Sequence, residues 1–448
     1  MASARAFFPC AGALAKDAAV KFVSFNLMPY RELPDDFEEK YPSVWVTPPK
    51  TLYDPKRGHR FYHDYVDELE FSIDLGFDGV GVNEHHSNAY GLMPSPNLFG
   101  SILSRKIRSQ DKTSLLVLGN SLALYNPPIR VAEEFAMLDV LTGGRFIAGF
   151  PVGTSMDTNY AYGVNPAELR ERYYEAHDLV MKTWTTDELF MWNGKYNQLR
   201  YVNPWPRPAQ RPHPPVWIPG GGSVETYDFA INHKYSFSYL SFFGHQYAQK
   251  VMDQFWDRAA KLDGDMNPYR AGFAQIVCVS ETDAKAQSDY EEHVRYFFNK
   301  CLHVDPRVAE APGYRTVKSL RAGLRSQFDG TMKSAAVLLK EGLSWQELNE
   351  MGFIVAGSPQ TVADRFKEFS EKLHVGNVML LLQIGSMPHW LTMKNLQLFA
   401  EEVMPKVQPI FGEWDASHYW PSGFGADAEE AGEEARTTSK EPAPAFGD

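Results

Sequence analysis

Glu84-His85-His86 is the densest cluster of reactive side chains in the sequence. It follows directly on the short apolar run Asp78–Val82, which reads as a strand. A carboxylate and two imidazoles at a strand end can move protons, bind a metal ion, or simply satisfy one another. Metal binding needs further ligands, and no spacing marks a third one, so no metal is expected at this cluster. A second candidate lies where the strand Pro215–Ile218 enters Gly220-Gly221-Gly222-Ser223 and a helix begins. Glycines let backbone amides approach an anion, and a helix N-terminus adds unpaired N–H groups and a favourable dipole. Ser223 and Thr226 lie one turn apart, so their hydroxyls can point the same way. A phosphate cradle and an ordinary turn capped by Ser223 both fit this pattern.

The elements that must position these groups alternate. Strands are expected at Lys21–Leu27, Asp78–Val82, Thr113–Leu118, Arg145–Gly149, Pro215–Ile218, Tyr235–Leu240, Gly272–Val279 and Asn377–Gln383. Helical spacing falls between them, over Tyr62–Leu75, Pro96–Lys106, Ile129–Leu141, Pro166–Trp184, Val224–Ile231, Gln246–Leu262, Thr282–Phe298 and Val362–Leu373, and a last helix spans Leu391–Val403. A mostly helical insertion precedes Gly357-Ser358-Pro359, which reads as the capped start of the helix before the last strand. Repeated strand and helix imply a parallel sheet with helical crossovers. No G-x-G-x-x-G follows the first strand, which weakens a dinucleotide-binding sheet. Polar or glycine clusters just after several strands suit a single (β/α)8 TIM barrel, whose site lies at the C-terminal strand ends. The aromatic segment Met28–Arg60 and Met387-Pro388-His389-Trp390 are then expected to face the same cavity.

Residues 1–20 read as an N-terminal extension, 21–410 as the barrel and 411–448 as a C-terminal extension, disordered from about residue 426. From Ala426 to Asp448 there are seven acids and two bases, so this tail carries −5 of the net charge of −12. That charge argues against nucleic-acid binding. Cys10, Cys278 and Cys301 are too few and too far apart for a disulfide framework, and the reducing cytoplasm is the simplest compartment. No stretch approaches the roughly 18–20 apolar residues of a membrane span.

Taken together, Glu84-His85-His86, Gly119-Asn120, Asn126-Pro127, Ala132-Glu133, Leu138-Asp139, Gly144-Arg145-Phe146, Gly149 through Gly153, Gly222 through Thr226 and Gly357-Ser358-Pro359 stand in a familiar order. Over about Lys21 to Val407 the sequence resembles the bacterial luciferase superfamily of flavin-dependent monooxygenases. The resemblance implies reduced FMN and O2 as reactants, a flavin hydroperoxide, and transfer of one oxygen atom to an apolar organic substrate. It implies His85 as proton-transfer residue, with Glu84 orienting it and His86 supporting the strand end or lining the pocket. Asn120, Gly119, Phe150, Gly153, Gly222, Ser223 and Thr226 would bind the flavin, and a non-proline cis peptide bond is implied at Gly119–Asn120 or Asn120–Ser121. A separate flavin reductase and a homodimer are also implied. Glu133, Glu134, Asp139 and Arg145 read as scaffold. One departure stands out: the arginine that binds flavin phosphate in luciferase is replaced by Val152. A deazaflavin-dependent oxidoreductase and a flavin-free barrel are the alternatives.

Overall fold

The computed structural model describes residues 19–109, 112–317, 320–321 and 342–424. Its strands, in chain order, are β1 (Lys21–Phe25), β2 (Gly79–Val82), β3 (Ser114–Val117), β4 (Phe146–Gly149), β5 (Phe190–Asn193), β6 (Gln198–Val202), β7 (Val216–Gly220), β8 (Ser236–Tyr239), β9 (Ala271–Val279), β10 (Ile354–Gly357) and β11 (Asn377–Leu381). Eight of them close into a parallel barrel in the order β1-β2-β3-β4-β7-β8-β9-β11 and back to β1. These eight are the strands expected from the sequence. Their residues are buried almost without exception, which is why they read as continuous apolar runs rather than alternating ones.

The helices are α1 (Phe37–Lys40), α2 (Pro55–Asp74), α3 (Pro96–Ile107), α4 (Ile129–Leu141), α5 (Leu169–Thr185), α6 (Val224–Asn232), α7 (Gly244–Leu262), α8 (Asp283–Tyr296), α9 (Pro306–Ala309), α10 (Trp345–Glu350), α11 (Pro359–Leu373) and α12 (His389–Leu398). Caps fix several starts. Asp54 accepts a hydrogen bond from the Lys56 amide at 2.8 Å, so α2 begins at Pro55, earlier than hydrophobic spacing alone suggests. Ser358 caps α11 as expected. Among the described residues, no helix is long and apolar enough to cross a membrane.

Three features depart from expectation. Residues Ile354–Gly357 form an extra strand, β10, which pairs with the upper half of β9 from Ile354↔Ile276 to Gly357↔Val279. A four-residue buried run cannot be told from a helix segment by periodicity. A two-stranded antiparallel hairpin, β5–β6, interrupts the segment between α5 and β7. Asn193-Gly194 at its turn is a recognised hairpin signal. The C-terminal extension is not detached at its start, because Tyr419 and Trp420 are buried beneath the barrel. The tail expected to be disordered lies outside the described residues, as does most of the helical insertion, which precedes β10.

Trp420 closes the N-terminal end of the barrel. Its ring lies 6.1 Å from that of Trp217 on β7, and Lys21 Nζ of β1 sits 5.7 Å from its centroid. A Cβ on Gly79 of β2 would stand 3.4 Å from the same ring. Substituting Trp420→Ala should therefore leave a cavity under the sheet and cost about 3 kcal/mol or more. Urea unfolding of the full chain checks this, and an unchanged midpoint would show that residue 420 is not part of the core.

Candidate active site

The barrel delivers polar groups to the C-terminal ends of its strands, and a cavity of about 650 Å³ opens there. At one end lie Asn83, Glu84 and His85 from the end of β2 and Ser121 from the end of β3. At the other lie Gly220 through Val224 and Thr226, between β7 and α6. Pro151, Val152 and Gly153, after β4, join the two. Such a volume lies within the range of small-molecule and cofactor sites.

His85 is held by Asp157, not by Glu84. Asp157 lies in a single π-helical turn, Met156–Ala161, after β4. Its Oδ2 accepts from His85 Nδ1 at 3.0 Å and from the Thr154 hydroxyl at 2.8 Å. Its Oδ1 accepts from the His86 amide at 2.7 Å and from Trp45 Nε1 at 3.2 Å. A carboxylate only accepts, so Nδ1 of His85 carries the hydrogen, and Nε2 is turned away from Asp157. The ring is packed edge-on by Trp45 and Tyr90, which stack on each other 4.7 Å apart. Burial pushes the Asp157 carboxyl up. The adjoining His85, the His86 amide and the Thr154 hydroxyl more than offset this and hold it below the usual carboxylate range.

Glu84 takes a different part. Its Oε2 accepts from the Ser121 amide at 2.7 Å and its Oε1 from the Tyr125 hydroxyl at 2.8 Å, which ties the end of β2 to the loop after β3. His86 Nε2 lies 3.1 Å from Glu84 Oε1 but out of line for a hydrogen bond, and its ring packs edge-on against Tyr162. His86 does not line the cavity, contrary to one of the two roles expected of it.

At the glycine end, Ser223 caps α6. Its Oγ lies 3.3 Å from the Thr226 amide and 2.8 Å from the Thr226 hydroxyl. Gly222 has φ 97°, and a Cβ there would meet the Tyr227 hydroxyl at 2.9 Å, so only glycine fits. Arg170, in the first turn of α5, lines the same cavity, and its Nε is buried without a hydrogen-bond partner. Lys250 of α7 and Arg315 line it too. A glycine turn, a helix N-terminus and two hydroxyls, with an unpartnered guanidinium nitrogen lining the same cavity, fit the phosphate of a flavin mononucleotide.

The profile of the family described as luciferase-like monooxygenase matches residues 57–375. The chain belongs to that family. Over 165 residues it is 36% identical to the uncharacterised protein y4wF of Sinorhizobium fredii, a stretch covering 36% of this chain and 46% of that protein. Limonene 1,2-monooxygenase of Rhodococcus erythropolis is 22% identical over 77% of this chain and 81% of its own length. The fold resembles the oxygenating constituent of 3,6-diketocamphane monooxygenase from Pseudomonas putida, solved with FMN, with a TM-score of 0.62, 16% identity, and coverage of 87% of this chain and 99% of that one. It also resembles an F420-dependent secondary alcohol dehydrogenase, with a TM-score of 0.56, 16% identity, and coverage of 87% and 99%.

Against this luciferase-like frame, several expected residues stand apart. Of the residues expected to bind flavin, Gly153, Gly222, Ser223 and Thr226 line the cavity, whereas Gly119, Asn120 and Phe150 do not. Asn120 is fully buried, accepting from Asn97 at 2.9 Å and donating to Tyr125 at 3.0 Å. Phe150 stacks against Phe135 and Trp184 in the layer outside β4. The cis bond implied at Gly119–Asn120 or Asn120–Ser121 is absent. Among the described residues, cis bonds precede Pro127, Pro206 and Pro212 only. Gly119 makes the turn instead, with φ 147° and a backbone so close to Pro151 that a Cβ would stand 2.5 Å from its ring. Residues 28–60 do not line the cavity. Trp45 backs His85, and the wall is supplied by Glu310, Tyr314 and Arg315. His389 turns to Glu68 at 3.2 Å, and Trp390 is exposed. Asp139 and Arg145 are scaffold: Asp139 accepts from the Gln210 amide at 2.9 Å, and Arg145 donates to the Ile107 carbonyl at 3.0 Å.

Sequence reading missed Asp157 and Arg170. Asp157 was accessible as the first acid after β4. Arg170 carried no local signal. Because the Asp157 carboxyl is depressed, the unfolded chain takes up this proton first as pH falls. The stabilisation is complete above the ordinary carboxylate range and is lost below about pH 4. Asp157→Asn should therefore be less stable than the native chain near pH 6, with the gap closing toward about pH 3. Urea unfolding at both pH values measures it, and a gap that stays constant would refute the assignment.

Proposed function

We propose that this chain is a flavin-dependent monooxygenase that uses reduced FMN and O2 to place one oxygen atom on an apolar organic substrate. The observation that carries this is one cavity with an oriented imidazole at one end and an anion cradle at the other. When bound, reduced flavin would supply the two electrons that activate O2. Ser223, Thr226 and the α6 N-terminus would hold its phosphate, and Arg170 supplies the positive charge that Val152 cannot. His85, its ring oriented by Asp157, takes or returns a proton at the reacting end. Leu118, Val152, Leu240 and Val251 give the cavity apolar wall and exclude water from the reacting atoms.

A separate flavin reductase would be the source of the reduced flavin. Leu98 and Ile102 of α3 and Met137 and Val140 of α4 leave exposed apolar side chains beside the early strands. A homodimer through that face accounts for them.

Arg170→Leu should weaken binding of reduced FMN by about 10–100-fold, the worth of a charged hydrogen bond, while leaving riboflavin affinity unchanged. Anaerobic titration with the two flavins reads this directly, and an equal loss for both would place the phosphate elsewhere. His85→Ala should cut oxygen-transfer turnover by roughly 10²-fold. An assay of O2 consumption with reduced FMN, run beside one with reduced deazaflavin, also tests the reaction class. Turnover with deazaflavin that is indifferent to O2 would replace the monooxygenase reading with hydride transfer.

A further inference from the structure

Away from the cavity, one set of metal-ligating side chains converges on the outer wall of the barrel. His177 and Asp178 lie on α5, and His233 follows the last turn of α6. Ligand atoms of the three all lie within 4.8 Å of one another. None of the three lines the cavity, so the cluster is independent of the proposed reaction.

The two imidazoles are oriented by their surroundings. His233 Nδ1 stands 2.9 Å from the Phe229 carbonyl. A carbonyl only accepts, so Nδ1 carries the hydrogen and Nε2 is left with its lone pair on an exposed ring. His177 is 2% exposed. Its Nε2 lies 3.0 Å from the Tyr235 hydroxyl and its Nδ1 lies 3.0 Å from Asp178 Oδ1. The two imidazole rings meet edge to face with centroids 4.9 Å apart.

We propose that His177, Asp178 and His233 form a binding site for a divalent transition-metal ion of the zinc class. Two imidazoles and a carboxylate are the ligand types such ions select. Metal-bound histidines characteristically give their second ring nitrogen to a carbonyl or other acceptor, and both rings here have that partner in place. With the ion on Nδ1 of His177, its Nε2 carries the hydrogen and donates to the Tyr235 oxygen. With metal–ligand bonds of about 2.0–2.2 Å, neighbouring ligand atoms of a tetrahedral ion stand about 3.3–3.5 Å apart. The 3.0 Å between His177 and Asp178 is close to that edge, and the remaining separations, none above 4.8 Å, close by small shifts of the exposed Asp178 and His233 side chains. Because Asp178 and His233 face solvent, the fourth position is left to water. The bound ion joins α5 to the turn between α6 and β8. The exposed pair His59 and His63 on α2, with rings 4.8 Å apart, is the rival location, with two ligands rather than three.

Metal-stripped full-length protein is titrated with Co²⁺ and followed by its visible absorption, then challenged with Zn²⁺. We expect one equivalent of Co²⁺, displaced by Zn²⁺, and a rise in Tm on adding Zn²⁺. His233→Ala and the near-isosteric Asp178→Asn should each weaken Co²⁺ binding by at least about tenfold. The double variant His59→Ala, His63→Ala should bind as the native chain does. No saturable Co²⁺ binding, binding that survives both His233→Ala and Asp178→Asn, or binding lost in the α2 double variant would each overturn the assignment.

Discussion

A buried carboxylate has to be given hydrogens, and Asp157 is given four. They come from Trp45 Nε1 in the loop after β1, His85 Nδ1 and the His86 amide at the end of β2, and the Thr154 hydroxyl after β4. One acceptor therefore fixes three separate connections over the mouth of the barrel. Leaving any of these donors unpaired would cost of order 1–3 kcal/mol. The long loop after β1 owes its course to this. Around Trp45 it also forms an antiparallel bridge to Asn88, and the Val46 amide donates to the Ser87 carbonyl at 2.8 Å. The segment expected to face the cavity is instead a brace behind the imidazole.

The same economy explains the difference in role between the two acids near His85. Glu84 is consumed by the Ser121 amide and the Tyr125 hydroxyl, so it sets the spacing of β2 and β3 at their upper ends. Its oxygens are turned to those two donors rather than to the ring of His85. Asp157 reaches His85 from two strands away because the chain after β4 makes a π-helical turn there, an irregularity often found at functional sites. The turn at the end of β3 is relieved by Gly119 adopting a backbone angle open to glycine, so no cis bond is needed to bring Ser121 to Glu84.

The barrel was legible because buried parallel strands and amphipathic crossovers leave strong patterns, and all eight barrel strands were read in place. β10 was hidden because Ile354–Gly357 is too short for either period to show, and its partner is only the far end of β9. Glu84-His85-His86 was legible as a cluster, but its internal pairing was not. Adjacent residues on an extended segment point to opposite faces, so three consecutive polar residues cannot all serve one another. The partner of His85 had to come from another strand, and only closure of the sheet specifies which one. Gly222, Ser223 and Thr226 were readable because their contacts are local. Phe150 and Asn120 were misplaced for the converse reason: whether a residue at a strand end faces the cavity or the helical layer is decided by one residue of register.

If the chain binds a flavin phosphate as proposed, the positive charge comes from Arg170 and not from residue 152. A phosphate needs positive charge within a few ångströms, but Coulomb attraction sets no requirement on which element supplies it. In this chain residue 152 is apolar wall, and the first turn of α5 brings a guanidinium to the same cavity. Arginine suits that post better than lysine would. Its planar fork can meet two phosphate oxygens, and it is weakly hydrated enough to sit half-buried. A guanidinium in that position favours an anionic occupant over a neutral one of the same shape.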